Sequence, residues 1–345
     1  MTRILVIGPS WIGDTLLAQP LLALLRDRHS NLTLDVLAPA WTLPLVRRMP
    51  EVRHGILSPF RHGDLQLGRR RQLARELAAE RYDQAIVLPN TIKSALVPCF
   101  ARIPLRTGYR GEMRWGIVND LRSLDAASVP LLAERYAALA SGPDETLRRP
   151  LPAVHLKVDE AVRSATLRRL GLEAAQPAVV LCPGAEYGPA KRWPVRHFSG
   201  LARELVARGR SVWIVGSDAD RALGDAIVQS AGAGSRNLCG RTTLDEAIDV
   251  LASAEVVVSN DSGLMHVAAA TGRPLVALYG SSSPAHTPPL ARDAEILRLD
   301  LPCSPCFKRE CPLHHFNCLT QLLPATVLAT PHFARIGSPL LDPRP

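Results

Sequence analysis

At 345 residues the chain is long enough for two domains, because single hydrophobic cores usually stop growing at about 250–300 residues. Its 47% hydrophobic and 21% charged content excludes a disordered or fibrous protein. A net charge of +9 at pH 7 favours anionic partners, and charge alone leaves nucleic acid, anionic lipid and phosphorylated substrates open.

Strands and helices alternate through the first half of the chain. Residues 3–8 form an apolar run that predicts a strand, and residues 14–28 carry apolar side chains at helical spacing. Further strands are expected at 32–38, 55–58 and 84–88, with helices at 65–80 and 94–101. This alternation predicts a buried parallel sheet.

The pattern breaks at Pro150 and Pro152 and then begins again. Strands are expected at 178–182, 211–215, 256–259 and 275–279, with helices at 160–170, 195–208, 219–231 and 244–252. We therefore predict an α/β protein with doubly wound domains at 1–155 and 156–322. In open sheets of this kind ligands bind at the carboxyl ends of the strands, so we expect a cleft between the two domains.

The turn after the first strand, residues 8–14, reads GPSWIGD. It lacks the paired glycine spacing of a dinucleotide fingerprint, so we do not expect a nicotinamide cofactor. It does offer helix amides and one carboxylate, Asp14, at the mouth of the sheet. Helix capping is the alternative role for Asp14.

Two loops of the second half suit a phosphorylated ligand. In residues 183–194, Lys191 or Arg192 is suited to neutralise a diphosphate leaving group, with a solvated lysine as the alternative. In residues 260–270, the backbone amides of Ser262 and Gly263 are placed to cradle phosphate oxygens. Asp261 would repel phosphate and is better suited to sugar hydroxyls. Helix capping for Asp261 and a buried, satisfied histidine for His266 are the alternatives.

These segments together resemble the lipopolysaccharide heptosyltransferases of glycosyltransferase family 9. The similarity runs through SWIGD at 10–14, APAW at 38–41, PNTIKSALVP at 89–98, PGAE at 183–186, AKRWP at 190–194 and NDSGLMH at 260–266. It implies a GT-B architecture of two Rossmann-like domains, with the acceptor on the first domain and ADP-heptose on the second. It also implies that a C-terminal segment, 323–345, returns to the first domain.

The resemblance assigns roles to individual residues. Asp14 is implied to be the general base, within an acceptor-side turn that includes Ser10 and Gly13. The implied donor-binding residues are Lys191, Thr242, Asp261, Ser262, Gly263 and His266. Among them, Lys191 contacts the diphosphate and Asp261 contacts the heptose. The phosphates lie on a shelf formed by Ser262, Gly263 and His266, and Thr242 offers a backbone contact to adenine.

The implied reaction is an inverting transfer of L-glycero-D-manno-heptose from ADP-heptose to the first heptose of heptosyl-Kdo2-lipid A. A single displacement needs one base and positive charge on the leaving diphosphate, so no catalytic metal is expected. Asp218 and Asp220 match a metal-binding D-x-D pattern, but they stand at a predicted helix start and are interpreted as caps. A first-heptose transferase, another sugar-nucleotide transferase and a basic nucleotide-binding protein are the alternatives.

Four of the seven cysteines are clustered near the C-terminus. With His314 and His315 between them they offer enough ligands for a structural, tetrahedral zinc site. Reduced, unliganded thiols are the alternative. The clustered residues are Cys303, Cys306, Cys311 and Cys318.

The N-terminal apolar run is ended by Gly8 and Pro9 too soon for a signal peptide, and no later apolar run reaches the roughly 20 residues of a membrane span. We therefore expect a cytoplasmic protein, and the lipid acceptor that the resemblance implies would bring it into peripheral contact with the inner face of the cytoplasmic membrane. Aromatic-rich basic stretches are missing from the sequence, so nucleic acid is not an expected partner.

Overall fold

The computed structural model describes residues 1–61, 63–143, 145–172 and 178–336. It divides the chain into two compact units, Met1–Lys157 and Val158–Pro345. The division therefore falls close to the predicted one after residue 155. Among the described residues, no helix is both long enough and apolar enough to cross a bilayer.

The first unit is a parallel sheet with flanking helices. Its strands are β1 (Thr2–Ile7), β2 (Leu32–Pro39), β3 (His54–Ser58), β4 (Gln84–Val87), β5 (Leu105–Tyr109) and β6 (Asp120–Arg122). Its helices are α1 (Ile12–Leu17), α2 (Gln19–Arg28), α3 (Leu43–Arg48), α4 (Leu67–Ala78), α5 (Ile92–Phe100) and α6 (Leu132–Ala137). All neighbouring strands run parallel, in the order β3-β2-β1-β4-β5-β6.

The centre of this sheet is buried on both faces, as expected for a parallel sheet covered by helices. In β1, Ile4 pairs with Leu34 on one side and with Gln84 on the other, and Ile4 and Leu5 are fully buried. The winding reverses between β1 and β4. Such a reversal opens a crevice at the carboxyl ends of the two strands, which is where doubly wound sheets bind ligands.

The helix predicted at 14–28 is broken in two, α1 and α2, with Ala18 between them. Pro20 stands in the first turn of α2, where its missing N–H costs no helical hydrogen bond. Because of this break, α1 is a short helix, and residues 8–14 lie at the carboxyl end of β1.

The second unit repeats the same topology. Its strands are β7 (Ala178–Cys182), β8 (Ser211–Ile214), β9 (Ser235–Asn237), β10 (Val256–Asn260), β11 (Leu275–Leu278) and β12 (Ala294–Leu297). Its helices are α7 (Glu160–Leu170), α8 (Val195–Ala207), α9 (Arg221–Ala231), α10 (Leu244–Ala252), α11 (Gly263–Ala270), α12 (Asn317–Thr320), α13 (Pro324–Leu328) and α14 (Pro331–Ile336). The parallel order β12-β11-β10-β7-β8-β9 places the reversal between β7 and β10.

Asp220 of the D-x-D pair caps a helix start, as interpreted from the sequence. Asp218–Asp220 forms a short 3-10 turn before α9. Asp220 accepts hydrogen bonds from the backbone N–H of Ser217 at 2.9 Å and from its hydroxyl at 2.7 Å. Asp218 is paired with Arg221 at 2.6 Å. Both carboxylates are thus engaged in local structure.

Residues 323–345 are predicted to return to the first domain, and the described part of this segment packs within the second unit. Leu322, Val327 and Phe333 are buried in the apolar core of the second unit, together with side chains of α8. Burial of these apolar side chains holds residues 323–336 to the second unit. Residues 337–345 lie outside the described residues.

Candidate functional site

Each unit gathers polar side chains at its own reversal point. In the first unit the turn after β1 carries Asp14, and Asn90 lies shortly after β4. In the second unit the loop after β7 carries Lys191, and the end of β10 leads into Asp261. Apart from Thr242, the predicted donor and acceptor residues therefore follow the strands that flank the two reversal points, where this topology forms crevices.

The centre of the second site is an ion pair between a buried carboxylate and a mostly buried ammonium. The ammonium of Lys191 donates to Asp261 Oδ2 at 2.6 Å, and the two side chains are only 18% and 5% exposed. Ser282, which follows β11, donates its hydroxyl to the same carboxylate oxygen. The Lys191 ammonium also lies 5.1 Å from the centre of the Tyr187 ring. The alternative of a solvated lysine is therefore wrong.

The loop that carries Lys191 is fixed by Asn260. The Asn260 side chain donates to the carbonyl of Pro183 at 2.7 Å and accepts from the backbone N–H of Trp193 at 3.0 Å. Trp193 is buried, and its indole N–H donates to the carbonyl of Leu322 at 2.7 Å. Both ends of the loop, residues 183 and 193, are thus tied to the last residue of β10. The Lys191 ammonium is held in place by backbone structure as well as by charge.

The N-terminus of α11 borders this ion pair. Ser262 is the N-cap of α11 and Gly263 is its first residue, so the capping alternative for Asp261 is wrong. Burial lowers the pKa of His266 to about 4; the charge of Asp261 opposes this shift and that of Lys191 adds to it. His266 is therefore neutral at pH 7. It is also buried, as expected for the alternative role of a buried, satisfied histidine. Its predicted phosphate contact would have to be a neutral hydrogen bond.

Thr242 lies in the loop between β9 and α10, directly before the N-cap residue Thr243. Thr243 and Glu246 form a reciprocal capping box, which fixes the start of α10. The loop leaves the carboxyl end of β9, the edge at which the Lys191 and Asp261 loops also lie. The predicted adenine contact of Thr242 stays a prediction.

In the first unit, Asp14 occupies the first turn of α1 and is half-buried. The N-cap of α1 is Trp11, so Asp14 is not the N-cap residue of this helix. Burial, and then the negative charge of Asp14, raise the pKa of the Tyr136 phenol in α6. Asp14 therefore lies within electrostatic reach of a phenol that remains protonated at neutral pH.

The turn that holds Asp14 is flanked by two exposed indoles. Trp11 is 57% exposed and Trp41 is 48% exposed, and the Trp41 N–H donates to the carbonyl of Ser10 at 2.7 Å. Ser10 is exposed and Gly13 lies inside α1. Exposed aromatic faces beside a carboxylate suit a sugar, because its ring presents apolar C–H groups and its hydroxyls need acceptors.

Sequence reasoning missed Ser282, Asn260 as a clamp, and the aromatic partner Tyr187. Ser282 stands in a Gly-Ser-Ser-Ser turn at 280–283 that follows an apolar strand, the same pattern that singled out residues 260–263. That signal was available. The clamp by Asn260 depends on β7 and β10 being neighbours, which the sequence alone does not reveal.

The four clustered cysteines come together in the second unit. All four line one cavity, shared with Ala190 and Ser281. Burial raises the pKa of the Cys318 thiol, and its interactions with the other three raise it further, so the sulfurs are near neighbours. The four residues are Cys303, Cys306, Cys311 and Cys318.

Comparison with known proteins identifies the family. The model of "Glycosyltransferase family 9 (heptosyltransferase)" matches residues 70–317. Lipopolysaccharide heptosyltransferase 2 of Escherichia coli K12 is 49% identical over 306 residues, 86% of this chain and 88% of that protein. Lipopolysaccharide heptosyltransferase 2 of Salmonella typhimurium LT2 is 45% identical over 339 residues, 96% of this chain and 97% of that protein.

A solved structure agrees with these relatives. The structure of E. coli ADP-heptose LPS heptosyltransferase II is similar with a TM-score of 0.85 and 44% identity, covering 95% of this chain and 96% of that one. The predicted α/β fold of GT-B type and the predicted enzyme class, a glycosyltransferase, are confirmed. The chain belongs to glycosyltransferase family 9, the heptosyltransferases.

Proposed function

We propose that this chain transfers L-glycero-D-manno-heptose from ADP-heptose to the first heptose of heptosyl-Kdo2-lipid A, with inversion at the anomeric carbon. The observation that carries the donor half is the buried Lys191–Asp261 pair at the reversal point of the second sheet. The choice of acceptor is supported by relatives named heptosyltransferase 2 at 45–49% identity.

The second unit provides the groups that suit a nucleotide diphosphate. Lys191 has three N–H donors and gives one to Asp261, which leaves two for the oxygens of a diphosphate. The first N–H groups of α11, next to Ser262 and Gly263, add the positive end of a helix dipole. Developing negative charge on departing ADP is then stabilised by fixed groups, which is how an enzyme works without a catalytic metal.

The first unit provides the base. In our proposal the Asp14 carboxylate takes the proton from the attacking hydroxyl of the acceptor heptose. The hydroxyl oxygen forms the new bond to the anomeric carbon of the donor as the bond to the ADP oxygen breaks. The exposed faces of Trp11 and Trp41 border the acceptor sugar. One carboxylate suffices, since no glycosyl-enzyme intermediate has to form.

The acceptor is a lipid, so we propose that the first unit contacts the inner face of the cytoplasmic membrane peripherally from the cytoplasm. Support comes from an exposed apolar set on loops at the carboxyl edge of the first sheet: Trp11, Trp41, Met113 (75% exposed) and Trp115 (68% exposed). Indoles at a lipid interface and a net charge of +9 both favour an anionic bilayer.

The function is tested with two acceptors. The purified chain, ADP-heptose and EDTA are incubated with Kdo2-lipid A or with its singly heptosylated form, and the products are weighed by mass spectrometry. We expect one heptose to be added to the singly heptosylated acceptor, at a rate that added Mg²⁺ does not change. Transfer to Kdo2-lipid A alone would indicate a first-heptose transferase. Activity that returns only with Mg²⁺ would refute metal independence. Binding of ADP-heptose without any product would refute the proposed transferase activity.

The ion pair predicts coupled effects on donor use. Lys191→Met and Asp261→Asn are each expected to lower kcat/KM for ADP-heptose. The loss should correspond to roughly 2–4 kcal/mol of transition-state stabilisation. Because each change leaves its buried partner unpaired, the double variant should lose less than the sum, with a coupling of about 0.5–3 kcal/mol.

Steady-state kinetics on both single variants and the double variant measure this coupling. Lys157→Met, which removes an exposed lysine, serves as the matched control and should leave kcat/KM unchanged. Strictly additive effects would show that Lys191 and Asp261 act on the donor independently.

The base assignment predicts a loss in kcat. Asp14→Asn keeps the side-chain shape but cannot accept the proton, so kcat should fall by about 10²–10⁴-fold while ADP-heptose binding and melting temperature change little. Asp27→Asn, an exposed carboxylate in the same unit, is the matched control. A near-normal kcat in Asp14→Asn, or a variant whose only defect is earlier melting, would refute the assignment.

The membrane proposal predicts a loss of vesicle binding. The double change Met113→Asp and Trp115→Asp removes exposed apolar surface and adds negative charge, so partition onto phosphatidylglycerol vesicles should fall at least about tenfold in a flotation assay. Val162→Asp, an exposed apolar position in the second unit, is the matched control. Equal losses in both variants would show that the net charge of the chain governs vesicle binding, and not the exposed apolar residues Met113 and Trp115.

A further inference from the structure

The segment after β12, residues 301–318, carries the clustered cysteines and is called the cysteine loop below. We propose that the cysteine loop binds one Zn²⁺ through Cys303, Cys306, Cys311 and Cys318, and that this ion fixes the loop that carries Lys191. The binding of zinc is independent of the proposed function. Only the consequence for donor binding rests on it.

The first observation is the convergence of the four thiols on one cavity. Tetrahedral sites of four cysteines are characteristic of structural zinc. Among the residues that the structure describes, no three His, Cys, Asp or Glu side chains already have metal-binding geometry. Binding of the ion would therefore require the thiols to turn toward the cavity that they line.

The second observation is the environment of Cys311. The chain turns tightly after Cys311, where the N–H of His314 donates to the Cys311 carbonyl at 3.1 Å, and the backbone N–H groups of residues 313–316 lie near the Cys311 sulfur. Successive backbone N–H groups that converge on one atom form an anion-binding nest, a feature of many metal–sulfur sites. His314 and Phe316 take positive φ angles of 55° and 52° to shape this nest, and Phe307, next to Cys306, has a φ of 54°. Non-glycine residues adopt such angles at a cost, which a bound ion would offset.

The third observation is Ser281, which lines the same cavity and is only 1% exposed. Within the described residues its hydroxyl has no hydrogen-bond partner. A buried hydroxyl without a partner is unfavourable and needs an explanation. A thiolate ligand of the metal would be an acceptor for it, so Ser281 is suited to support the ion from outside its ligand set.

The cysteine loop is attached directly to the donor site. The carbonyl of Arg309 accepts from the N–H of Ala190 at 3.0 Å, one residue before Lys191. The carbonyl of Phe307 accepts from the Tyr187 hydroxyl at 2.8 Å, and the Phe307 N–H donates to Ser281, one residue before Ser282. A Cβ on Gly188 would lie 2.5 Å from the Arg309 carbonyl oxygen, so the two segments are packed backbone to backbone.

The ion would therefore tie both partners of Asp261 to one rigid loop. Lys191 and Ser282 each follow a residue that lines the cavity, Ala190 and Ser281. In binding, each thiol loses its proton, so four thiols and one Zn²⁺ give a tetrathiolate of net charge −2 and release four protons. No electron is transferred and no bond within the chain is broken.

The first experiment measures metal directly. The chain is purified under reducing conditions, and its zinc is quantified by elemental analysis and by release to a chromogenic chelator. We expect one zinc per chain in the wild type and in Cys99→Ser, whose cysteine lies outside the cluster. Each of the four cluster variants to serine should lose it. Wild-type chain that holds no zinc after incubation with excess Zn²⁺, or that holds iron instead, would overturn the assignment.

Cluster variants that fail to fold would not decide the matter, so the wild type is also stripped with a chelator and reloaded with Co²⁺. Four thiolates around Co²⁺ give intense sulfur-to-metal absorption and tetrahedral d–d bands. These bands support the four-cysteine site. Weak bands typical of oxygen ligands would overturn it.

The second experiment tests the link to the donor loop. Hydrogen–deuterium exchange is compared between zinc-loaded and stripped chain, with peptides covering residues 184–193. Zinc removal should speed exchange of the Ala190 amide at least about tenfold, while peptides from the first unit stay unchanged as the internal control. Unchanged exchange at 184–193 would show that the ion does not position Lys191. Neither readout needs heptose transfer, so their failure is distinct from failure of the proposed function.

Discussion

The second unit is organised around the need to bury the charges of Lys191 and Asp261. A lone buried charge is strongly unfavourable, so neither side chain can stay where it is without the other. The loop after β7 must therefore reach the end of β10. Asn260 secures that approach by bonding both ends of the loop, and Ser282 brings in the turn after β11. Three neighbouring strands thus contribute to one preorganised arrangement.

This ion pair changes the roles that the sequence analysis gave to Lys191 and Asp261. Lys191 and Asp261 were predicted to hold different parts of the donor, and they stand 70 positions apart in the chain. Spacing cannot show that they bond to each other, because their contact follows from β7 and β10 being adjacent. The motifs marked the correct loops. The division of work between the side chains depends on the topology, which only the structure provides.

The regular elements were predicted best where patterns are strong. The helices α7 and α10 and the strand β7 have the predicted bounds. The strands β5, β6, β9 and β12 were missed. The edge strands β6, β9 and β12 have three or four half-exposed residues and carry little apolar pattern, and β5 begins with the exposed Leu105 and the partly exposed Arg106. The helix predicted at 14–28 was too long because Pro20 was not treated as a helix start. The C-terminal segment was placed by analogy, whereas burial of Phe333 decides where it packs.

The two reversal points have the same topology and opposite electrostatic designs. In the first unit Asp14 is half-buried beside exposed indoles, as suits a base that must meet a ligand from outside. In the second unit the Lys191–Asp261 pair has almost no net charge, and His266 is neutral at pH 7. The pair therefore stabilises a departing diphosphate through the fixed position of its donors and not through net charge. The ammonium is held beside the helix N-terminus before negative charge develops on the diphosphate. Fixed dipoles of this kind require little reorganisation during the reaction, which is the main source of their catalytic effect.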